Sequence, residues 1–132
     1  MRSIRERLWI RTEVGGLARY ENDDYQRVSR EVPGNPWFIC TLWLARWLIG
    51  RAERQEQLEE GLELLGWAAR HSLPSGVMAE QIHPSTGVPV SVSPLTWSHA
   101  EFVIAVCEYL QKRREISSAE ENIRLKELGS CY

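Results

Sequence analysis

Apolar residues recur along this chain mostly at helical spacing, and polar, glycine-rich stretches separate the runs. Residues 2–11 read as a short helix or the tail of a longer one. The apolar run from Trp37 to Ile49 follows Asn35-Pro36, where Asn suits a cap and Pro the first turn, and it meets a natural stop at Gly50. A second long helix is predicted from about Arg54 to His71, with Leu58, Leu62, Leu65 and Ala69 on one stripe. A third starts near Thr96 to Ser98, where Ser98 and Glu101 fit a capping box, and runs through Phe102, Ala105, Val106 and Tyr109 to about Arg114. Lys112-Arg113-Arg114 then reads as its solvated end, where positive charge suits the dipole. A last, charge-rich helix from about Ser118 to Leu128 is expected at the periphery.

Two loops lie between these runs. Gly15-Gly16 opens a polar segment that lasts to about Pro33. Residues 72–95 form a second, rich in Pro, Ser and Gly. Loops beyond about 12–15 residues without structure of their own are uncommon and usually functional. Alternation at strand period extends no further than Val88 to Val92, and there is no internal repeat. The pattern predicts an all-α protein whose two long loops stand on the N-terminal sides of the Trp37 and Thr96 helices.

Six tryptophans in 132 residues are unusual. Trp43 and Trp47, four apart, share one helix face at the spacing of a core or an interface, and Trp67 falls in a strongly periodic helix. Trp37 and Trp97 differ, because each stands at a helix start beside a polar loop, where a flat apolar ring can carry a pyranose.

Composition narrows the class. Hydrophobic residues at 43% and charged residues at 26% describe a folded domain. A net charge of −2 gives no basic footprint, which argues against nucleic acid as a partner. No apolar run approaches the roughly 20 residues that span a bilayer, and no signal-like segment follows the charged N-terminus, so neither a membrane nor export is expected. Cys40, Cys107 and Cys131 are odd in number and form no disulfide framework, pointing to a reducing cytoplasm. His71, His83 and His99 lack metal-ligand spacing, and no phosphate-binding glycine loop occurs. His99 reads as a loop or packing residue. No metal or cofactor is expected.

Four stretches carry a resemblance. They are Gly15-Gly16-Leu17-Ala18-Arg19-Tyr20-Glu21-Asn22-Asp23-Asp24-Tyr25; Gly34-Asn35-Pro36-Trp37-Phe38-Ile39-Cys40-Thr41-Leu42; Met78-Ala79-Glu80-Gln81 with Thr86-Gly87; and Ser93-Pro94-Leu95-Thr96-Trp97-Ser98-His99-Ala100. Over roughly residues 14–112 the chain resembles the C-terminal part of the glucoamylase-type glycoside hydrolases, the family 15 of glucoamylases, glucodextranases and trehalase-like enzymes. The fold this implies is an (α/α)6 barrel of six inner and six outer helices, the six-hairpin glycosidase type. The chain would supply about the last third of that ring, as one partial catalytic domain over 1–132 with its motifs in 14–112 and a peripheral helix at 117–128.

The resemblance also implies roles. Glu80 matches the family's catalytic base, although a loop carboxylate taken alone is most often just solvated. Arg19, with Tyr20 beside it, matches a sugar-binding Arg-Tyr pair, and Asp23 or Asp24 matches the accompanying acid. Trp37 and Trp97 match aromatic walls of the pocket, with Gln81 next to the base. The implied reaction inverts the anomeric centre: one carboxylate deprotonates a water while a second acid, about 6.5–9.5 Å away, protonates the leaving oxygen. Arg19 either keeps Glu80 ionised or clamps substrate hydroxyls. The family's general acid lies upstream of the Arg-Tyr segment, and no acid here stands in its motif. Because such a group contributes about 10²–10⁴ in rate, the chain alone is expected to be inactive.

Two function classes follow. One is part of an inverting hydrolase of α-linked glucose oligosaccharides or disaccharides, including dextrans and trehalose, with a separately encoded N-terminal portion or as a truncated gene; exposed inner-helix faces are then expected to bind that missing portion, to self-associate or to leave the chain loosely packed. The other is a non-catalytic remnant or carbohydrate-binding helical module.

Overall fold

The computed structural model describes residues 2–129, and Cys131 lies outside them. Four α-helices follow one another: α1 (Arg2–Leu8), α2 (Phe38–Arg51), α3 (Gln55–His71) and α4 (Thr96–Gly129). No strand forms among the described residues, so the expected all-α class holds. Helix α2 packs against both α3 and α4, which also meet each other.

The core sits where these three helices converge on the long loop. Phe38, Leu42 and Ile49 of α2, Leu58, Leu65 and Ala68 of α3, and Ala105 and Ile116 of α4 are all buried. Met78, Ala79 and Ile82 join them, so the segment on either side of Glu80 is anchored like a core element although it has no helix or strand. Trp67 is buried as expected; its Nε1 donates to the carbonyl of Val14 at 2.6 Å and its ring lies 5.3 Å from that of Phe38. This bond ties the first loop to α3.

Several sequence expectations are corrected in detail. Asn35 does not cap α2; the N-cap is Trp37, and Asn35 is buried with other partners. Gly50 does not end α2, which continues to Arg51, because Gly50 keeps a helical backbone and Ala52 is the first extended residue. On α3 the buried stripe is Leu58, Gly61, Leu64, Leu65 and Ala68, leaving Leu62 and Ala69 exposed. The helix turns that face inward because Gly61 admits Ile49 of α2 to its backbone, a close approach that no larger residue permits.

The two helices expected after Thr96 are one. No Gly or Pro interrupts residues 96–128, Ile116 is buried at the expected break, and the Gln55 amide bonds both the Arg113 carbonyl at 3.1 Å and the Ser117 hydroxyl at 2.9 Å. Lys112-Arg113-Arg114 is therefore mid-helix. Ser98 and Glu101 form no capping box, since Ser98 lies inside α4 with its hydroxyl donating to the carbonyl of Ala79 at 2.7 Å. Beyond Ile116, residues 117–126 are exposed and α4 projects past its neighbours.

Candidate functional site

The two loops are laced together by single backbone pairings. Antiparallel bridges join Trp9 to Leu17, Leu17 to Trp37, Trp37 to Gln81 and Ile82 to Pro89. The N–H of Trp37 donates to the carbonyl of Leu17 at 2.8 Å, and the N–H of Phe38 to that of Glu80 at 3.2 Å. Glu80 in turn donates its N–H to the carbonyl of Val92 at 2.8 Å. This backbone strip brings the Arg19, Trp37 and Glu80 segments side by side, although up to 61 residues of sequence separate them in the order 19, 37, 80.

Arg19 lies at the centre of an aromatic and acidic cage. Its guanidinium carbon stands 4.4 Å from the Trp37 ring centre, 4.9 Å from Tyr20 and 5.4 Å from Tyr25. Its Nε and Nη2 donate to the two carboxylate oxygens of Asp23 at 3.0 and 2.9 Å, and Nη2 reaches the Tyr20 hydroxyl at 3.3 Å. Burial by itself would raise the Asp23 carboxyl, but hydrogen bonds from Arg19 and the Tyr25 N–H outweigh it and hold the group below its ordinary value. Asp24 takes no part. Its side chain is 87% exposed and faces Arg27 at 3.6 Å. The geometry thus separates the two aspartates that sequence left equivalent.

Glu80 is half-buried, and its Oε2 accepts hydrogen bonds from the Ser91 hydroxyl and, at 3.4 Å, from Nε2 of Gln81. Gln81 is fully buried and its Oε1 receives Nδ2 of Asn35 at 2.9 Å. Ser91 and Asn35 were not singled out from sequence. Asn35 looked like a helix cap, and Ser91 lies in a Val-Ser-Val stretch that carries no motif.

The two tryptophans expected as sugar platforms part company. Trp37 is buried under Arg19, with its Nε1 unpartnered. Trp97 is 53% exposed; it meets Trp43 edge-on at 5.9 Å and donates to Glu101 at 3.1 Å. Glu101 also pairs with Arg46 at 2.8 Å, and Arg46 reaches Glu108 at 2.7 Å. Trp97 is linked to the Glu80 loop through its neighbours, since Ser98 bonds Ala79 and the Met78 N–H donates to His99 Nε2 at 3.0 Å. His99 is thus a packing residue in the first turn of α4.

Other chemistry is thin. Burial pushes the Cys40 thiol up to about 12, which removes it as a nucleophile. No group of His, Cys, Asp or Glu among the described residues is placed to hold a metal ion, and none of their helices is long and apolar enough to cross a membrane. A cavity of about 680 Å³ opens between α2 and α4, lined by Trp43, Arg46, Trp47, Glu108 and Lys112 among others. Neither Arg19 nor Glu80 lines it.

Residues 63–107 match the family described as glycosyl hydrolases family 15, a span that contains Glu80, Gln81, Ser91 and Trp97. An uncharacterized glycosyl hydrolase of Methanocaldococcus jannaschii is 38% identical to the chain over 105 residues, covering 73% of this chain and 16% of that relative. No solved structure matches. Both matches are to glycosyl hydrolases. The chain belongs to family 15 as a glucoamylase-type member, and its all-α architecture agrees with the (α/α)6 barrel of that family. It spans about a sixth of the length of the curated relative it matches.

Proposed function

We propose that these residues form the base side of an inverting glycoside hydrolase acting on α-linked glucose, in an oligosaccharide, a dextran or trehalose. Glu80 deprotonates the attacking water. Arg19, steadied by Asp23, binds sugar hydroxyls, and Tyr20, Trp37 and Trp97 line the sugar's path. The general acid comes from family sequence outside these 132 residues, either on the same polypeptide or on a partner, and the exposed face of α2 packs on that remainder. The 132 residues act as one partial catalytic domain, with the projecting end of α4 peripheral to it. The unpaired Cys40 and Cys107 support a reducing, cytoplasmic setting.

The observation that carries this reading is the junction of Trp37 and Glu80 on one backbone strip, with a caged arginine against the tryptophan and a hydrogen-bonded carboxylate beside it. A solvated loop glutamate needs none of these supports.

The test is glucose release from maltooligosaccharides and from trehalose. It is run on this chain and on a protein holding a whole family 15 domain that includes it, each beside Glu80→Gln. The expected result is turnover in the larger protein alone, reduced by about 10²–10⁴ in the variant. Undiminished turnover in Glu80→Gln would remove Glu80 as the base. Sugar binding without turnover in either protein would favour the carbohydrate-binding reading instead.

A further inference from the structure

Asn35 is almost wholly buried and uses both ends of its amide on backbone groups. Nδ2 donates to the carbonyl of Gln26 at 2.8 Å, and Oδ1 accepts the N–H of Val28 at 3.3 Å. A backbone carbonyl can only accept and a backbone N–H can only donate, so just one of the two amide orientations satisfies both. The turn that presents these groups is itself unusual, because Gln26 holds a left-handed backbone with φ 54°. The second proton of Asn35 Nδ2 then points at Gln81, and the buried Gln81 must answer with Oε1, at 2.9 Å. That choice leaves Gln81 Nε2 facing Glu80 Oε2. Turning either amide over would set donor against donor or acceptor against acceptor between two buried side chains.

From this geometry we infer that Asn35 is a positioning residue for Glu80, passing the fixed polarity of the Gln26–Val28 backbone through Gln81 to one carboxylate oxygen. The Ser91 hydroxyl on the same oxygen can rotate and either donate or accept. The Gln81 amide, once oriented by Asn35, can only donate. Asn35 thereby reserves Oε2 as an acceptor and fixes the carboxylate's rotation, leaving Oε1 as the oxygen free to face a water. The functional meaning rests on Glu80 being the base; the relay itself does not.

The experiment is side-chain amide NMR on the labelled chain. In the unaltered protein the Gln81 Nε2 protons should show NOEs to the side chains of Glu80 and Ser91. Their resonances should move as acid protonates Glu80, and this movement should vanish in Glu80→Gln. Asn35→Asp keeps the shape but removes the donor that Gln81 faces, so Gln81 should turn over and lose its NOEs to Glu80. NOEs placing Gln81 Nε2 against Asn35 in the unaltered chain would overturn the relay, as would Asn35→Asp leaving the Gln81–Glu80 NOEs unchanged. If Asn35→Asp does not fold, the unaltered chain and Glu80→Gln still decide. Full turnover in Glu80→Gln would sink the base assignment and leave these NMR results standing, so the two ideas fail separately.

Discussion

Arg19 and Asp23 meet in a two-pronged pair, Nε to Oδ2 at 3.0 Å and Nη2 to Oδ1 at 2.9 Å, with the carboxylate 1% exposed and the guanidinium partly open. The aspartate is buried and the arginine is the half that reaches out, so Asp23 acts by aiming Arg19. Asp23→Asn keeps the shape and one or two hydrogen bonds but gives up the charge-assisted pair. It should cost about 1–2 kcal/mol in chemical denaturation and weaken sugar binding by more than Asp24→Asn, whose side chain is in solvent. Equal effects of the two substitutions on binding would argue against the assignment.

Acid should act through two carboxyls. Burial opposes ionisation of Asp23 and Glu101, yet hydrogen bonds from Arg19 to the first, and from Arg46 and Trp97 to the second, bring both below their ordinary values of 3.8 and 4.5. Each proton therefore leaves more readily in the folded chain than in the unfolded one. The stability this adds is complete above the unfolded carboxylate range, and it is lost as pH falls through that range toward the lowered folded values. The Tm should be level from about pH 7 to pH 5 and drop below about pH 4.5. The double variant Asp23→Asn, Glu101→Gln should be less stable at neutrality and lose less on acidification. Parallel melting curves for the two proteins across that window would refute the linkage.

Gly16 and Gly50 should respond in opposite directions to alanine. Gly16 has φ +88°, and an added Cβ would lie 2.5 Å from Trp67 Cζ2 and 2.9 Å from Pro36 Cβ. Trp67 cannot yield easily, since its Nε1 is bonded to Val14 and its ring abuts Phe38. Gly16→Ala should cost about 3 kcal/mol. Gly50 lies inside α2 with nothing within 4 Å of a Cβ, so Gly50→Ala should add about 0.5–1 kcal/mol. Urea midpoints measure both.

What could be read from the residues alone depended on how local the cause was. Helix α3 was legible because apolar spacing and the absence of breakers are properties of neighbouring residues. The phase of its stripe was not, since Leu62 and Leu64 fit the helical period equally well and contacts from distant residues choose between them, Ile49 seated on Gly61 and Leu17, Leu44 and Ala45 packed with Leu64. The join within α4 was hidden for the same reason, as Gln55 spans it from a distant helix. At the candidate site, Glu80 and Arg19 were legible through motifs. Asn35 was not, because the partners that set its role lie 9 and 46 residues away while its place before Pro36 imitates a cap.

The last prediction concerns the outer face of α2. That helix buries Phe38, Leu42 and Ile49 in the main core and Leu44 and Ala45 in a second apolar cluster with Leu17 and Leu64. Trp43 and Trp47 are left 47% and 37% exposed, with Trp97 against Trp43. Cavities of about 680 and about 510 Å³ both border Trp47, and Arg51 stacks over its ring at 4.6 Å. Aromatic surface so gathered marks a contact face in soluble proteins. In a family 15 ring, the neighbouring helices would cover it. The isolated chain should therefore bind a hydrophobic dye and sediment as a concentration-dependent mixture. Trp47→Gln should weaken that association about tenfold, in keeping with an aromatic anchor, while lowering Tm by no more than about 4 °C, because the ring is already partly outside the core. A single monomeric species at every concentration, dark to the dye, would mean that α2 and α4 close this face on their own.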